Sequence, residues 1–233
     1  MPDKGALISV LIPALNEQET IREVIDRLLA LEPAVEIVVI DDGSSDLTPE
    51  ILKDYEGRIV IVTRPTPGGK GAAIRHGLER ASGEVVIIQD ADLEYSPEQI
   101  QALAEPILNG KASVVYGTRF QHGMPAGMAV PNKIVNKLLA FAVRLLYKQK
   151  ITDEATCYKV FKTSHLKSME LECTGFEFCP EVTAKASRMG LRIIELPIDY
   201  VPRGKAAGKK IRWTDAPIAF WTLAKYLFWQ PKH

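Results

Sequence analysis

Short apolar segments alternate with amphipathic segments through the first half of the chain. The apolar runs predict five strands, at residues 8–13, 35–42, 58–63, 84–90 and 112–119. Helices are predicted between them, at residues 17–31, after Thr48, at residues 70–81 and after Ser96, which is expected to cap a helix that Pro97 opens. Continuous apolar runs separated by single helices are typical of a parallel sheet covered on both faces. The pattern therefore predicts an α/β fold with a mostly parallel sheet flanked by helices.

The second half opens with an amphipathic helix at residues 131–149. Its apolar positions are 134, 135, 138, 139, 142, 145 and 146, and only positive charge lies opposite them. Two interpretations stay open: the stripe packs on the sheet, or it lies on a membrane surface.

A further strand is predicted at residues 192–200, followed by a glycine- and lysine-rich loop at 201–213. The segment 216–230 is rich in aromatic residues and is predicted to contact a membrane or a partner, including a second copy of the chain. We expect a single domain over residues 1–233 with a basic and amphipathic C-terminal elaboration.

Polar clusters follow the predicted strands. They are PALNE at 13–17, DDGSSD at 41–46, QDADLE at 89–94 and GTR at 117–119. Ligands of parallel sheets bind beyond the carboxyl ends of the strands. The clusters therefore predict a binding site at that edge.

Composition and charge restrict the classes of protein to which the chain can belong. The chain has 233 residues, 46% of them hydrophobic, and a net charge of zero, which fits one well-packed core. Residues 119–151 nevertheless carry six basic residues and no acid, and residues 202–233 carry seven basic residues and one acid. Two basic segments in a neutral chain favour an anionic partner.

Location is predicted from the termini and the cysteines. Acids come too early for a signal peptide, no window approaches the roughly 20 apolar residues of a membrane span, and the three cysteines form no C-x-x-C pair. We therefore expect reduced thiols, no zinc site and a cytoplasmic protein, soluble or peripheral on the membrane.

The glycine-rich segment GGKGAA at 68–73 resembles a phosphate loop in composition only. Arg64 replaces the first P-loop glycine, Gly71 replaces the serine or threonine after the lysine, and Ile74 breaks the dinucleotide fingerprint. What remains is Lys70 at the start of a helix, where charge and backbone amides favour an anion. A plain helix cap is the alternative.

The segment VIIQDADLE carries the most specific chemistry. A buried strand runs into Asp90, Asp92 and Glu94, whose like charges resist desolvation unless something compensates them. Tyr95 occupies the glycine position of an EF-hand loop, so that pattern fails. We predict Mg²⁺ or Mn²⁺, bound by one or two of these carboxylates together with substrate phosphates. In the DDGSSD cluster, Asp41 and Asp42 either hold a turn or accept hydrogen bonds from a base or ribose.

Taken together, the motifs resemble those of the family 2 glycosyltransferases. ISVLIPALNEQETI, VVIDDGSSDLT, the Lys70-Gly71 element, VIIQDADLE and VYGTR carry the likeness in the first half, with Asp90-Ala91-Asp92 as the D-x-D motif. TDEATCYKVFK, GFEFCPEVTAKASRMG and the segment from IDYVPR to GKKIRW are similar to the dolichyl- or polyprenyl-phosphate hexose synthases. The resemblance implies the Rossmann-like GT-A fold, with a nucleotide-sugar half at 1–120 and an acceptor half at 121–233.

The resemblance also assigns roles by position. The nucleotide-sugar site would contain Pro13, Leu15, Asn16, Glu17, Asp41, Asp42, Lys70, Asp90, Ala91, Asp92, Arg203, Lys209 and Lys210. Asp90, Asp92 and Glu94 would bind the metal, and Arg119 would bind the acceptor phosphate.

Three departures from the family pattern matter. Leu15 stands where an aromatic residue often stacks on the base, a second acceptor-phosphate arginine has no clear match beyond Lys133, and the membrane helices of many relatives are absent. The implied partners are a UDP- or GDP-hexose, a polyprenyl phosphate and a membrane surface, with a homodimer open and no nucleic acid.

The predicted reaction is an inverting transfer of a hexose, with Asp90, Asp92 and Arg119 as catalytic residues. A lipid phosphate is already anionic and needs positioning rather than deprotonation. If the acceptor were a hydroxyl group, a general base would be required, and Asp153 is its candidate, with a helix cap as the alternative role. A nucleotidyltransferase lacks support because PALNEQET replaces the glycine-rich loop that it needs after the first strand. A catalytically silent scaffold is disfavoured by the intact D-x-D motif.

Overall fold

A computed structural model describes residues 7–120, 123, 125, 127–202 and 215–231. Its strands are β1 (Ile8–Ala14), β2 (Glu36–Asp41), β3 (Val60–Thr63), β4 (Val85–Ile88), β5 (Val114–Thr118), β6 (Lys159–Lys162) and β7 (Ile193–Pro197). Its α-helices are α1 (Ile21–Leu29), α2 (Thr48–Lys53), α3 (Lys70–Arg80), α4 (Ile100–Leu108), α5 (Val130–Tyr147), α6 (Thr163–Ser168), α7 (Phe178–Arg188) and α8 (Ala216–Lys225).

The seven strands form one sheet in the order β3-β2-β1-β4-β6-β5-β7. All neighbours pair in parallel except β6, which runs antiparallel to β4 and β5. Strands from both halves of the chain therefore share one sheet. The predicted α/β class with a mostly parallel sheet is confirmed.

The apolar runs of the sequence form the core of the fold. Residues 85–88 of β4 and residues 10–12 of β1 are fully buried, because helices cover both faces of the sheet. In α1 the buried residues Ile21, Val24, Ile25 and Leu28 follow the i, i+3, i+4, i+7 spacing of one helical face. The local patterns and the tertiary packing agree.

The structure corrects several predicted elements. The helix expected at 17–31 spans only Ile21–Leu29, since residues 18–20 form a turn. Ser96 does not cap the following helix: its hydroxyl donates to Glu98 at 2.6 Å, and a 3₁₀ turn at Pro97–Gln99 precedes α4. The carboxylate of Glu98 draws the hydroxyl away from the helix amides.

Strand β6 was missed by the sequence analysis. It has only four residues, and lysines stand at both of its ends, so no apolar run marks it. Lys159 is nevertheless fully buried, with its ammonium 2.7 Å from the carbonyl oxygen of Glu154 and 3.7 Å from the centroid of the Tyr116 ring. Tertiary contacts therefore accommodate a charge that local propensity would keep outside the sheet.

Helix α5 packs on the protein with part of its surface, and the predicted contact of its apolar stripe with a membrane stays a prediction. Leu139, Ala140 and Val143 are buried against the protein, whereas Val130, Ile134, Leu138, Phe141 and Leu145 are each more than half exposed. In the described ranges of the chain, no helix is long and apolar enough to cross a membrane.

Truncation of a central strand residue tests this core. We expect Ile87→Ala to lower the free energy of unfolding by about 2–5 kcal/mol, because it leaves a cavity in fully buried β4. Urea denaturation of the purified variant measures the change. Leu47→Ala, at a position that is 61% exposed, is the control and should shift the value by less than about 0.5 kcal/mol. Equal losses in both variants would contradict the assigned core.

Candidate functional site

A cavity of about 300 Å³ lies beyond the carboxyl ends of β4 and β5. Charged side chains at these strand ends and at the start of α3 line it: Asp90, Glu94, Arg119 and Lys70. Glu154, Glu177 and Asp215 are further acids of the lining. The parallel sheet thus brings two of the four predicted polar clusters, at 89–94 and 117–119, together with Lys70 at one edge, as expected for this class of fold.

A lysine from a different element compensates negative charge in the D-x-D segment. Lys70 Nζ lies 2.5 Å from Asp90 Oδ1, and both side chains are mostly buried. Burial by itself lowers the pKa of Lys70, but the Asp90 carboxylate outweighs it and raises the pKa above the ordinary value. Lys70 is therefore a fixed positive charge in the cavity.

The other two acids of this segment have partners of their own. Asp92 Oδ1 accepts the amide of Glu94 at 3.1 Å, and Glu94 Oε2 accepts the Tyr200 hydroxyl at 3.0 Å. The amide of Val201 also donates to the Glu94 carbonyl at 3.0 Å, so the chain at 200–201 is tied to the D-x-D loop. Glu94 thus anchors a neighbouring segment, and its predicted role as a metal ligand stays a prediction.

The carboxylates of the D-x-D loop fit a cation whose remaining ligands come from the substrate. In the described part of the chain, no three His, Cys, Asp or Glu side chains are grouped as a metal cage would require. Asp90 and Asp92 offer hard carboxylate oxygens from one loop, and Mg²⁺ and Mn²⁺ accept such oxygens together with phosphates. The residues therefore fit a divalent cation shared with a diphosphate.

The backbone amides that precede α3 form hydrogen bonds within the protein. Asp42 accepts the amides of Gly68 at 3.0 Å and Gly69 at 2.7 Å, and it also pairs with Arg64. Gly69 has a φ of +91°, and a Cβ there would lie 2.4 Å from the carbonyl oxygen of Thr174. A buried carboxylate therefore occupies the two amides that precede the helix, and the predicted binding of an anion at Lys70 stays a prediction.

The loops after β1 and β2 are joined by side chains that mimic backbone turns. Asn16 Oδ1 accepts the Ser45 amide at 2.8 Å, the Glu17 amide donates to Thr48 Oγ1 at 2.9 Å, and Asp41 Oδ1 accepts the Ser44 amide at 3.0 Å. Asp41 thus holds a turn, which is one of the two roles that the sequence left open, whereas Asp42 accepts amides of a different loop, at Gly68 and Gly69. Pro13, Leu15, Asn16, Glu17, Asp41 and Asp42 lie at this edge of the sheet, and their contacts with a nucleotide stay a prediction.

Arg119 lies at the end of β5 in a buried ion pair. Its backbone amide, Nε and Nη2 all donate to the Asp153 carboxylate, at 3.0, 2.7 and 2.6 Å. Asn136 Nδ2 supplies a fourth donor at 3.1 Å. Burial alone would lower the pKa of Arg119, but Asp153 holds it well above its usual range. The guanidinium is a second fixed charge in the cavity.

The opposite wall of the cavity is apolar. It is formed by the segment before α5, by α5 and α8 and by the loop before α7, through Met128, Val135, Leu139, Phe176, Ile218 and Ala219. Lys133 is half-buried on α5 and is not part of this wall. The cavity thus joins a charged end at Lys70 and Arg119 to an apolar end between two helices.

Three residues predicted for the nucleotide-sugar site belong to the glycine- and lysine-rich loop at 201–213. Arg203, Lys209 and Lys210 lie outside the described residues.

Two residues of the site were missed by the sequence analysis. Tyr200 contacts Glu94 only through tertiary structure, and nothing in the sequence signals it. Asn136 could have been found, because it precedes the buried Leu139 and Val143 by three and seven residues and so shares their face of α5. A polar residue on a buried helical face needs a partner.

Comparisons with known proteins identify the family. The profile of the family described as glycosyl transferase family 2 matches residues 9–169. The chain belongs to glycosyl transferase family 2. This match confirms the enzyme family that the motifs predicted.

The curated relatives differ in how much of their length the chain covers. It is 32% identical over 206 residues to a low-salt glycan biosynthesis hexosyltransferase of Haloferax volcanii, covering 86% of this chain and 49% of the relative. It is 28% identical to a dolichol-phosphate mannosyltransferase of Pyrococcus furiosus, covering 87% and 58%. It is 29% identical to a UDP-N-acetylglucosamine–dolichyl-phosphate N-acetylglucosaminyltransferase of Methanococcus voltae, covering 86% and 87%. The chain thus spans about half of the first of these relatives and most of the last.

Solved structures support the fold. The crystal structure of glucosyl-3-phosphoglycerate synthase from Mycobacterium tuberculosis superimposes with a TM-score of 0.76 at 23% identity, covering 98% of this chain and 83% of that one. The same synthase in complex with Mn²⁺, UDP and glucosyl-3-phosphoglycerate gives a TM-score of 0.73 at 22% identity, covering 98% and 82%. The GT-A fold is confirmed.

Removal of the Asp42 charge tests the closed start of α3. Asp42→Asn should lower the free energy of unfolding by about 1–3 kcal/mol, because a buried acceptor of two amides and an arginine loses its charge. Denaturant titration measures this. The control is Asp54→Asn, which removes an exposed carboxylate paired with Arg22 and should cost less than about 1 kcal/mol. If the two variants were equally stable, Asp42 would not be holding the loop.

Proposed function

We propose that this chain is an inverting, metal-dependent glycosyltransferase that moves a hexose from a nucleoside-diphosphate sugar to a polyprenyl phosphate. The observation that carries the proposal is the two-ended cavity, in which Lys70 and Arg119 form a charged end and α5 and α8 form an apolar end. An acceptor with a phosphate head and a hydrocarbon chain matches both ends. Two of the relatives are named for transfer to dolichyl phosphate, which supports the same acceptor class.

The surroundings of Asp153 favour a phosphate acceptor over a hydroxyl acceptor. A general base must take a proton from the acceptor, yet Asp153 is fully buried and its two oxygens already accept four hydrogen bonds. A phosphate oxygen needs no deprotonation. Asp153 therefore acts as the partner of Arg119 in the proposed reaction, and the hydroxyl-acceptor alternative becomes an outcome for experiment.

The proposed reaction requires no proton transfer. An acceptor phosphate oxygen forms a bond to the anomeric carbon of the sugar, the bond from that carbon to the diphosphate breaks, and the electron pair leaves with the nucleoside diphosphate. Arg119 binds the incoming phosphate, and Lys70 lies where negative charge develops on the leaving group. Asp90 and Asp92 would hold a Mg²⁺ or Mn²⁺ ion, which would neutralise part of the diphosphate charge. A donor role for residues 1–120 and an acceptor role for 121–233 belong to the same proposal.

We also propose that the exposed stripe of α5 rests on a membrane surface. Its five apolar residues are Val130, Ile134, Leu138, Phe141 and Leu145. Lys133, Lys137 and Arg144 follow one another at helical spacing along the edge of this stripe, and α5 carries no acid. An apolar face edged with basic residues suits a membrane that contains anionic lipid. The apolar wall of the cavity lies on the same helix, close to where such a lipid acceptor would be held.

An assay of nucleoside diphosphate release tests the reaction. With Mg²⁺ or Mn²⁺, a panel of UDP- and GDP-sugars and a short polyprenyl phosphate, we expect release that depends on the lipid. Asp92→Ala should reduce it about 100-fold or more, and Arg119→Ala about 10-fold or more, because each removes a charge aimed at phosphate. The controls are Asp54→Ala and Lys111→Ala, at exposed positions. Release that is indifferent to lipid would refute the acceptor and point to a hydroxyl substrate.

Vesicle co-sedimentation tests the membrane surface. Phe141→Ser should weaken binding to phosphatidylcholine vesicles containing phosphatidylglycerol about 10-fold, since a phenyl ring contributes roughly 1.5–3 kcal/mol on burial. Leu47→Ser is the matched control, because Leu47 is 61% exposed and Phe141 is 60% exposed. Unchanged binding of the Phe141 variant, or no binding of the wild-type protein, would contradict this surface.

A further inference from the structure

The buried end of the cavity contains a hydrogen-bond network that the proposed reaction does not by itself explain. Asn136 on α5 donates from Nδ2 to Asp153 Oδ1 at 3.1 Å and accepts the amide of Ala155 on Oδ1 at 2.9 Å. Its side chain is only 3% exposed. Both ends of one amide group are therefore used to fix the loop at 153–155.

That loop is what orients Arg119. Asp153 holds the guanidinium by two parallel hydrogen bonds, at 2.7 and 2.6 Å, and so sets the direction of the fork. From the other side, Glu195 on β7 accepts the amides of Thr152 and Asp153, each at 2.9 Å. The loop is thus held between a strand and α5, and Asn136 is the contact from the helix.

The position of Asn136 connects the two ends of the cavity. Its neighbours on α5, Asn132, Val135 and Leu139, line the cavity wall. A shift of α5 would therefore move Asn136, which would move Asp153. The displaced carboxylate would in turn move the guanidinium of Arg119.

We propose that Asn136 and Asp153 are positioning residues for the acceptor phosphate, acting through Arg119. This inference rests on the proposed function. Asn136 joins the helix that forms the apolar wall to the charged group that would bind the phosphate. Asp153 neutralises and aims Arg119 and takes no proton from the acceptor.

Steady-state kinetics separate positioning from other roles. For Asn136→Ala we expect the KM for a short polyprenyl phosphate to rise about 10-fold, since a hydrogen bond to a charged group is lost. The kcat at saturating lipid and the KM for the donor should change less than about 2-fold. Asn136→Asp, which sets a second carboxylate against Asp153, should raise the lipid KM further. Asn109→Ala is the matched control, because Asn109 is exposed and its side chain donates to Glu105 at the end of α4.

Asp153→Asn distinguishes positioning from base catalysis. Positioning predicts a higher lipid KM with an unchanged pH profile of kcat. Loss of a general base predicts a fall in kcat of about 100- to 10,000-fold, an altered pH profile and an unchanged lipid KM, and this result would overturn the inference. A parallel loss of donor affinity and melting temperature in Asn136→Ala would also overturn it, because that is the pattern of a structural role.

Calorimetric titration with inorganic phosphate provides a readout independent of the acceptor. If the wild-type protein fails to use polyprenyl phosphate, the proposed function fails alone. Phosphate should still bind about 10-fold more weakly to Asn136→Ala than to wild type if the network positions Arg119. Equal affinities would overturn the inference.

Discussion

The desolvation of carboxylates at one edge of the sheet is the constraint on which the site depends. A parallel sheet brings its carboxyl ends together, and here those ends carry acids that the surrounding core removes from water. A buried carboxylate is costly unless it is paired and hydrogen-bonded. Three of them have a basic partner from another element, Arg64 for Asp42, Lys70 for Asp90 and Arg119 for Asp153, and the buried Asp41 accepts a backbone amide.

These pairs fix the side chains of the site relative to one another. Asp42 closes the start of α3, which places Lys70 beside Asp90, and Asp153 fixes Arg119 against the apolar helix α5. Two cations are thus held at set positions by residues that already compensate them. Charges fixed in advance need little reorganisation when a phosphate enters, which is the general basis of electrostatic catalysis.

The sequence analysis found features that depend on residues close together in the chain, and it missed features that depend on residues far apart in the chain. Strands β1 to β5 were found because continuous apolar runs are local signals, and the D-x-D loop was found because it ends such a run. Strand β6 was missed because it is four residues long and contains the buried Lys159, whose burial depends on Tyr116 and on the backbone of Glu154. For the stripe of α5 the sequence left two interpretations open, and the fold buries part of the helix and leaves five of its apolar residues more than half exposed.

By itself the sequence determined the α/β class, the family and the edge of the sheet where the chemistry lies, since periodicity and short motifs are encoded within a few residues. Tertiary structure decided which partner each charge received. It gave Asp42 the amides of the loop before α3 and gave Asp153 the guanidinium of Arg119, and the sequence indicates neither partner. The physical reason is that hydrogen bonds between residues such as Asn136 and Asp153 span elements whose contact no local pattern specifies.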